Sequence, residues 1–347
     1  MTLRICQVML SRGFGGAERL FVDLVMGLHE FGHDVLPICH PRGKARELLR
    51  SAGIDCACVN NLGWWDPVAP WRIHALAKKF GADIMHTHLA RASYLAARSR
   101  PSMPLIASLH NYGKSRYYRH ADHYIPITED GARHLRQMGV EDNRITIIPN
   151  FSRVPPVTDA KGKFDDTPRL LAYGRFVEKK GFADLLEALS LLKWEGIAFR
   201  LRLGGAGELD QGLRKQVRHQ QLTHQVEFIG WIEDVIKELD QTDLFILPSR
   251  SEPFGIVVLE AMARGIPIVT TTTEGPREFL SSDTAWFAPI ADPEALRDTL
   301  RKALFNSQER TNKANAALSL YSRNYTASKI IPRIINVYGS AVRGTVS

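Results

Sequence analysis

The sequence predicts an α/β protein made of two doubly wound parallel sheets in tandem. Two observations carry this. Short apolar runs alternate with helical patterns through both halves of the chain. One stretch near the middle, residues 151–168, breaks the alternation with Pro, Asp, Lys and Gly and reads as an inter-domain linker. At 347 residues the chain is long enough for two domains with full cores.

In the first half the strand candidates are residues 5–10, 34–39, 54–59, 83–86, 105–109, 123–127 and 145–148. Helical patterns lie between them, at 17–31 and 130–138 for example. After the linker the alternation restarts, with strands at 170–173, 199–203, 226–229, 244–247, 266–270 and 285–287. The expected domains are 1–157 and 165–326. Residues 327–342 read as a long amphipathic helix. Short repeats and low-complexity tracts are absent from the sequence.

Composition narrows the function. No apolar run reaches the length of a transmembrane helix, and the N-terminus reads as a strand rather than a signal peptide, so the expected location is cytoplasmic. The four cysteines, Cys6, Cys39, Cys56 and Cys58, have neither a second pair nor a His cluster beside them, which favours buried thiols over zinc ligands. The net charge of +8 is uneven: residues 1–150 hold 19 Lys+Arg against 13 Asp+Glu. A basic first half with Trp64, Trp65 and Trp71 suits contact with the inner face of an anionic membrane, or simply a solvated surface. No nucleic-acid module is present, and nucleic acid is not an expected partner.

The stretch 248–271, PSRSEPFGIVVLEAMARGIPIVTT, concentrates the chemistry. A strand ends at Pro248, a polar loop follows, and a helix over 254–264 is apolar nearly all round except for Glu260. A carboxylate in a buried helix requires a partner, either a core cation or a ligand's hydroxyls. Glu252 precedes it in the loop, and Gly255 lets a phosphate approach the helix N-terminus. Upstream, YGRFVEKKG sets Arg175 and Lys180 five residues apart across a turn, where a fork donor and a point charge can grip one diphosphate. Lys179 reads as a bystander. Glycine turns follow two strands, at Gly15 and Gly16 and at 204–208, GGAGE. Neither completes a dinucleotide fingerprint. Glu18 and Asp210 stand where the third glycine belongs, and no acid follows Cys39, so NAD is disfavoured.

The spacing of Glu252 and Glu260, with PFG after the first, resembles the E-x7-E signature of the retaining glycosyltransferases of family four, which have the GT-B fold. The resemblance covers nearly the whole chain and is densest over residues 173–278. It implies two Rossmann-like domains with a cleft between them and a last helix, about 327–347, packed back on the first. It implies a nucleoside-diphosphate sugar as co-substrate, with no cofactor and no metal. Glu252 would then contact the donor sugar and Glu260 the ribose, with Phe254 and Gly255 beside them. Arg175 and Lys180 would neutralise the leaving phosphate, and Gly204 and Gly207 would lie under the nucleotide. Gly15 and Gly16 resemble the family's GGAE turn. His110, in SLHNYG, resembles its His near the donor sugar and acceptor, and His86 and His88 resemble its H-x-H segment.

The loop 112–120, with Lys114, Arg116 and Arg119 among aromatics, suits an anionic glycan or glycolipid acceptor, or a polar lid. Glu274 and Gly275 are expected to face the cleft, with Glu278 as a helix-start carboxylate. No D-x-D motif is present; Asp165 and Asp166 are adjacent and read as a solvated turn. One departure stands out: the family often has Asn-Gly after its linking Ile-Pro, and here Phe151 follows Asn150. The expected activity is sugar transfer in lipopolysaccharide or polysaccharide synthesis. A nucleotide-sugar epimerase and a non-catalytic nucleotide-sugar-binding protein are the alternatives.

Overall fold

The computed structural model describes residues 2–99, 101–111, 114–118, 120–161, 164 and 166–344. The chain divides into two compact units, Met1–Arg153 with Ala327–Ser347, and Val154–Thr326.

In the first unit the order is β1 (Arg4–Met9), α1 (Gly16–Glu30), β2 (Asp34–Cys39), α2 (Lys44–Ser51), β3 (Ala57–Cys58), α3 (Val68–Phe80), β4 (Ile84–His88), α4 (Leu89–Arg98), β5 (Leu105–Leu109), β6 (His123–Pro126) and α5 (Glu129–Gln137). The strands form one parallel sheet in the order β3-β2-β1-β4-β5-β6. The chain winds outward from β1 one way and then crosses to β4 to wind the other way. That reversal opens a crevice at the carboxyl ends of β1 and β4, where ligands bind in such sheets. Helices on both faces explain why the strands read as apolar runs rather than alternating ones. Cys6, Val8, Met85, Leu105 and Ala107 pack with Ile73 and Leu95 in its core.

The second unit repeats the plan: β7 (Arg169–Tyr173), α6 (Phe182–Trp194), β8 (Arg200–Gly204), α7 (Asp210–His219), β9 (Val226–Gly230), α8 (Val235–Asp240), β10 (Leu244–Leu247), α9 (Ile256–Ala263), β11 (Ile268–Thr271), α10 (Glu274–Phe279), β12 (Trp286–Ala288), α11 (Pro293–Phe305) and α12 (Ser307–Asn324). Its sheet runs β12-β11-β10-β7-β8-β9, so the switch falls between β7 and β10. The closing helix, α13 (Ala327–Arg343), belongs to the first unit. It is held there by its buried face, Ile330, Ile331, Ile334, Val337 and Tyr338, and by Arg333, which donates to the Ile147 carbonyl at 3.0 Å.

Several expectations need correction. Residues 145–148 are not a strand; Ile145 makes one isolated bridge to Tyr124, and Pro149 ends the extended run. The strand expected at 54–59 shrinks to Ala57–Cys58, which leaves Cys58 exposed rather than buried. The linker is not loose from its start. Val157 and Lys161 donate to the Ala263 and Gly265 carbonyls at 2.9 and 2.8 Å, tying the segment to the end of α9. Phe151 is fully buried, so a packed ring stands where the family has glycine. Trp64 is half-buried and stacks on Tyr117 at 3.8 Å, whereas Trp65 and Trp71 are 83% and 68% exposed. Tyr112, Arg119 and Asp165 lie outside the described residues.

Candidate active site

In the second unit four strand-end loops meet. The loop after β7 carries Gly174 and Arg175, makes one short turn over Glu178–Lys180, and enters α6. The loop after β10 carries Glu252 and ends at Gly255, whose φ of 90° is open to glycine alone without strain, and α9 starts there. No side chain caps that helix and its first turn holds no acid, so its N-terminal partial positive charge is left for something else.

The two loops are strapped together. The Lys179 carbonyl accepts from the Arg250 and Ser251 amides at 2.8 and 3.1 Å. The Arg250 guanidinium grips the Asp184 carboxylate through Nε and Nη2 at 2.8 and 2.7 Å. The part Lys179 plays here is that of its backbone carbonyl, which holds the two loops together. Its ammonium is disfavoured by burial and by the Arg175 and Lys180 cations beside it, which hold its pKa below the usual lysine range.

This scaffold brings Lys180 and Glu252 into an ion pair, with both side chains largely buried. Ser249 donates more weakly to the same carboxylate at 3.4 Å. Glu260 sits 5% exposed on α9 and accepts from the Tyr173 hydroxyl at 2.5 Å. Arg175 is exposed and has no ion-pair partner among the described residues. The glycine loop follows β8, with Gly204 as its last strand residue and Gly207 just before α7. Its most demanding position is Gly205: at φ 135° an added Cβ would lie 1.9 Å from the Gly174 carbonyl oxygen. Gly205 is what lets the loops after β7 and β8 touch. Gly275, in the first turn of α10, donates to the Glu252 carbonyl at 2.9 Å, which places the chain after β11 against the loop that carries Glu252. The Phe254 ring does not join the polar cluster; it is buried and stacks on Phe279.

In the first unit, Gly15 precedes α1 and Gly16 is its first residue. Three histidines, His86, His88 and His110, come together at the ends of β4 and β5, all buried. A chain of hydrogen bonds links them to α13. Gln7 Nε2 donates to the Tyr338 hydroxyl at 2.8 Å, and that hydroxyl lies 2.6 Å from His86 Nδ1. His86 Nε2 is 2.8 Å from Ser108 Oγ. His88 Nε2 meets Gln7 Oε1 at 2.7 Å, and His88 Nδ1 meets His110 Nε2 at 3.1 Å.

The order of donors follows from this geometry. Gln7 Oε1 can only accept, so His88 Nε2 carries a proton and its Nδ1 is bare. His110 then donates from Nε2, leaving its own Nδ1 as a lone pair. That atom is buried and has no partner among the described residues. Burial keeps all three rings neutral, holding His110 down to about 4 and His86 to about 3, with neighbouring imidazoles adding to the effect at His86 and His88. A neutral imidazole with one bare nitrogen accepts a hydrogen bond from a hydroxyl.

Two family models match the chain: Glycosyltransferase Family 4 over residues 14–152 and Glycosyl transferases group 1 over residues 157–319. The lipopolysaccharide core biosynthesis glycosyltransferase LpsE of Rhizobium meliloti is 31% identical over 86% of this chain and 88% of its own. The chain belongs to glycosyltransferase family four. The putative colanic acid biosynthesis glycosyltransferase WcaL of Escherichia coli is 30% identical over 75% of this chain and 74% of its own. Among solved structures, Anabaena Alr3699/HepE in complex with UDP and glucose aligns with a TM-score of 0.83 at 19% identity. It covers 97% of this chain and 100% of the other, and it supports the GT-B fold alone.

In this glycosyltransferase the sequence did not reveal Gln7, Tyr338, Asp184 or Arg250. A glutamine inside the apolar run ICQVML and a tyrosine on the apolar face of the last helix are the signals that could have found the first two, since each polar tip requires a buried partner. Replacing Tyr338 with phenylalanine removes the acceptor that orients the Gln7 amide. The expected result is a mixture of His110 tautomers in place of one, read from imidazole 15N shifts. Stability falls by about 1–3 kcal/mol for the orphaned donor. Unchanged 15N shifts would show that Tyr338 does not orient the relay.

Proposed function

We propose that the enzyme moves a sugar, with retention at the anomeric carbon, from a nucleoside-diphosphate sugar to a glycan or glycolipid acceptor in cell-envelope polysaccharide synthesis. The observation that carries this reading is the Lys180–Glu252 pair at the switch point of the second sheet, beside the uncapped start of α9. The relatives named above, and the UDP and glucose bound in the HepE structure, support the same substrate class.

Breaking the anomeric C–O bond builds positive charge on the sugar and negative charge on the departing phosphate. Lys180, Arg175 and the amides at Gly255 meet the second. Glu252 orients sugar hydroxyls and Glu260 the ribose. Among the described residues no side chain is assigned as a nucleophile. The acceptor oxygen therefore bonds to the anomeric carbon on the face the phosphate leaves, and its proton passes to the phosphate oxygen. In the first unit the bare Nδ1 of His110 accepts from a substrate hydroxyl. With cations doing the charge neutralisation, turnover needs no divalent ion. The exposed Trp65 and Trp71, on a half of the chain that carries excess positive charge, fit contact with an anionic membrane surface.

A panel of UDP-, GDP- and ADP-sugars, read first by thermal shift and then by turnover in excess chelator, tests the proposal. The expected result is stabilisation by one donor class, followed by slow acceptor-free hydrolysis that chelator does not slow and that releases the sugar with its anomeric configuration retained. An epimerised donor would favour the epimerase reading, and binding without turnover the non-catalytic one. Rescue by Mg²⁺ or Mn²⁺ would overturn metal independence, and an inverted anomer would overturn retention.

A further inference from the structure

The first unit contains a cavity of about 590 Å³ at the carboxyl ends of β1 and β4, where its sheet switches direction. That volume suits a small organic molecule rather than a lone ion. Its walls come from the loops after β1, β3, β4 and β5, and they include Arg12, Asn61 and Arg91 but no Asp or Glu.

Three features of this cavity point the same way. The helix α4 starts in its wall. Its N-cap is His88, no side chain caps it, and its first turn holds no acidic residue. A ten-residue helix with an uncapped N-terminus draws negative charge. Arg12 and Arg91 add two cations, and Arg91 is set in place by the Trp64 ring, 5.5 Å from its guanidinium carbon. The third is independent of charge: Asn61 is 1% exposed, yet among the described residues neither its Oδ1 nor its Nδ2 has a hydrogen-bond partner. Arg91 Nε is buried without one as well. A buried amide with both ends unmet costs free energy until something supplies a donor and an acceptor together. A sugar bearing an acid group does so, with an acid oxygen for Nδ2 and a hydroxyl for Oδ1.

We infer that this cavity binds an acid group, a phosphate or a carboxylate, carried on the acceptor sugar. The inference rests on the transferase reading given above. The residues assigned there to the donor, Arg175, Lys180, Glu252 and Glu260, all belong to the second unit, so the two sites can be tested separately.

The test is calorimetric titration of the full chain with glucose 6-phosphate, glucuronate, inorganic phosphate and methyl glucoside. Arg91→Gln, Arg91→Lys and Asn61→Leu are measured beside the unaltered protein, and each protein is also titrated with the UDP-, GDP- and ADP-sugar panel. The expected result is that glucose 6-phosphate or glucuronate binds and methyl glucoside does not. The preferred acid then identifies the group, since inorganic phosphate competes with a phosphate site and not with a carboxylate one. Arg91→Gln should weaken binding by about tenfold or more while Arg91→Lys keeps much of it, and added salt should weaken it further. Asn61→Leu should also weaken it, which covers the case in which Arg91→Gln does not fold. Equal binding of methyl glucoside, or unaltered affinity in both Arg91→Gln and Asn61→Leu, overturns the inference. So does a loss of donor binding in Arg91→Gln, which would assign the cavity to the donor's phosphates. Failure of every protein to bind any donor counts against the transferase reading and leaves the acid-group result to stand or fall by itself.

Discussion

A Lys180→Met variant is expected to lose at least about a hundredfold in kcat while keeping its donor-binding fold, because the lost cation acts most strongly on the additional negative charge that builds up as the phosphate departs. The same change removes the partner of a carboxylate whose side chain is only 9% exposed. Breaking one side of such a pair leaves a buried charge uncompensated, at a cost of about 3–5 kcal/mol. Glu252→Gln should reproduce both effects in mirror image. The double variant, Lys180→Met with Glu252→Gln, separates them. It carries no orphaned charge, so most of the stability returns, whereas turnover stays low. Denaturant midpoints and single-turnover rates on the four proteins form the cycle. Near-normal turnover in both single variants, with only stability changed, would show that the pair holds the loops after β7 and β10 together and does nothing to the donor.

The alternation of strands and helices was legible because parallel strands covered on both faces must be apolar throughout, and runs such as LFIL at Leu244–Leu247 have no other use. The acidic pair was legible because both carboxylates lie in one short stretch of chain. What met them was less so. Lys180 lies 72 residues from Glu252, and only the resemblance had put them in one site. Tyr173 ends a strand, and nothing in its spacing marks its hydroxyl as the partner of Glu260, 87 residues away. The histidine relay shows the limit most clearly. The resemblance singled out His86, His88 and His110, but their protonation depends on Gln7 and on Tyr338, which are 331 residues apart. Asn61 carries no signal in the sequence, because being buried without a partner is a property of folded space that spacing does not reveal. Trp64 went astray for a related reason. Three tryptophans close in sequence suggested one surface, whereas Tyr117 and Arg91 draw the first of them inward.

Those same histidines make the protein labile to mild acid, which is the second large effect expected. In an unfolded chain each imidazole takes a proton near pH 6.5. In the folded first unit the charge would have to enter a buried site, so protonation waits until about 4 for His110 and about 3 for His86, and His88 is held well below its ordinary value as well. His123, bonded through Nε2 to Thr146 Oγ1 at 2.8 Å, is pushed down to about 4 by burial and by the Arg144 cation. Burial shifts His33 and His40 in the same direction. Between the folded and unfolded values the unfolded state binds more protons, so stability is full above pH 6.5 and declines as the pH falls below it. The slope is about 1.4 kcal/mol per pH unit for each histidine that stays neutral. Over the unit from pH 6.5 to 5.5 the unfolded imidazole goes from half to about nine-tenths protonated, so His86, His88 and His110 together remove about 3 kcal/mol, a large part of the stability of an ordinary domain. Most carboxylates titrate below that window, so it isolates the imidazoles. Urea unfolding at pH 7.5, 6.5 and 5.5 gives the slope, and His110→Gln should reduce it by about one histidine's share. A flat profile across the window would mean that the three rings take up protons in the folded unit, in which case His110 could not hold its Nδ1 bare for a substrate hydroxyl.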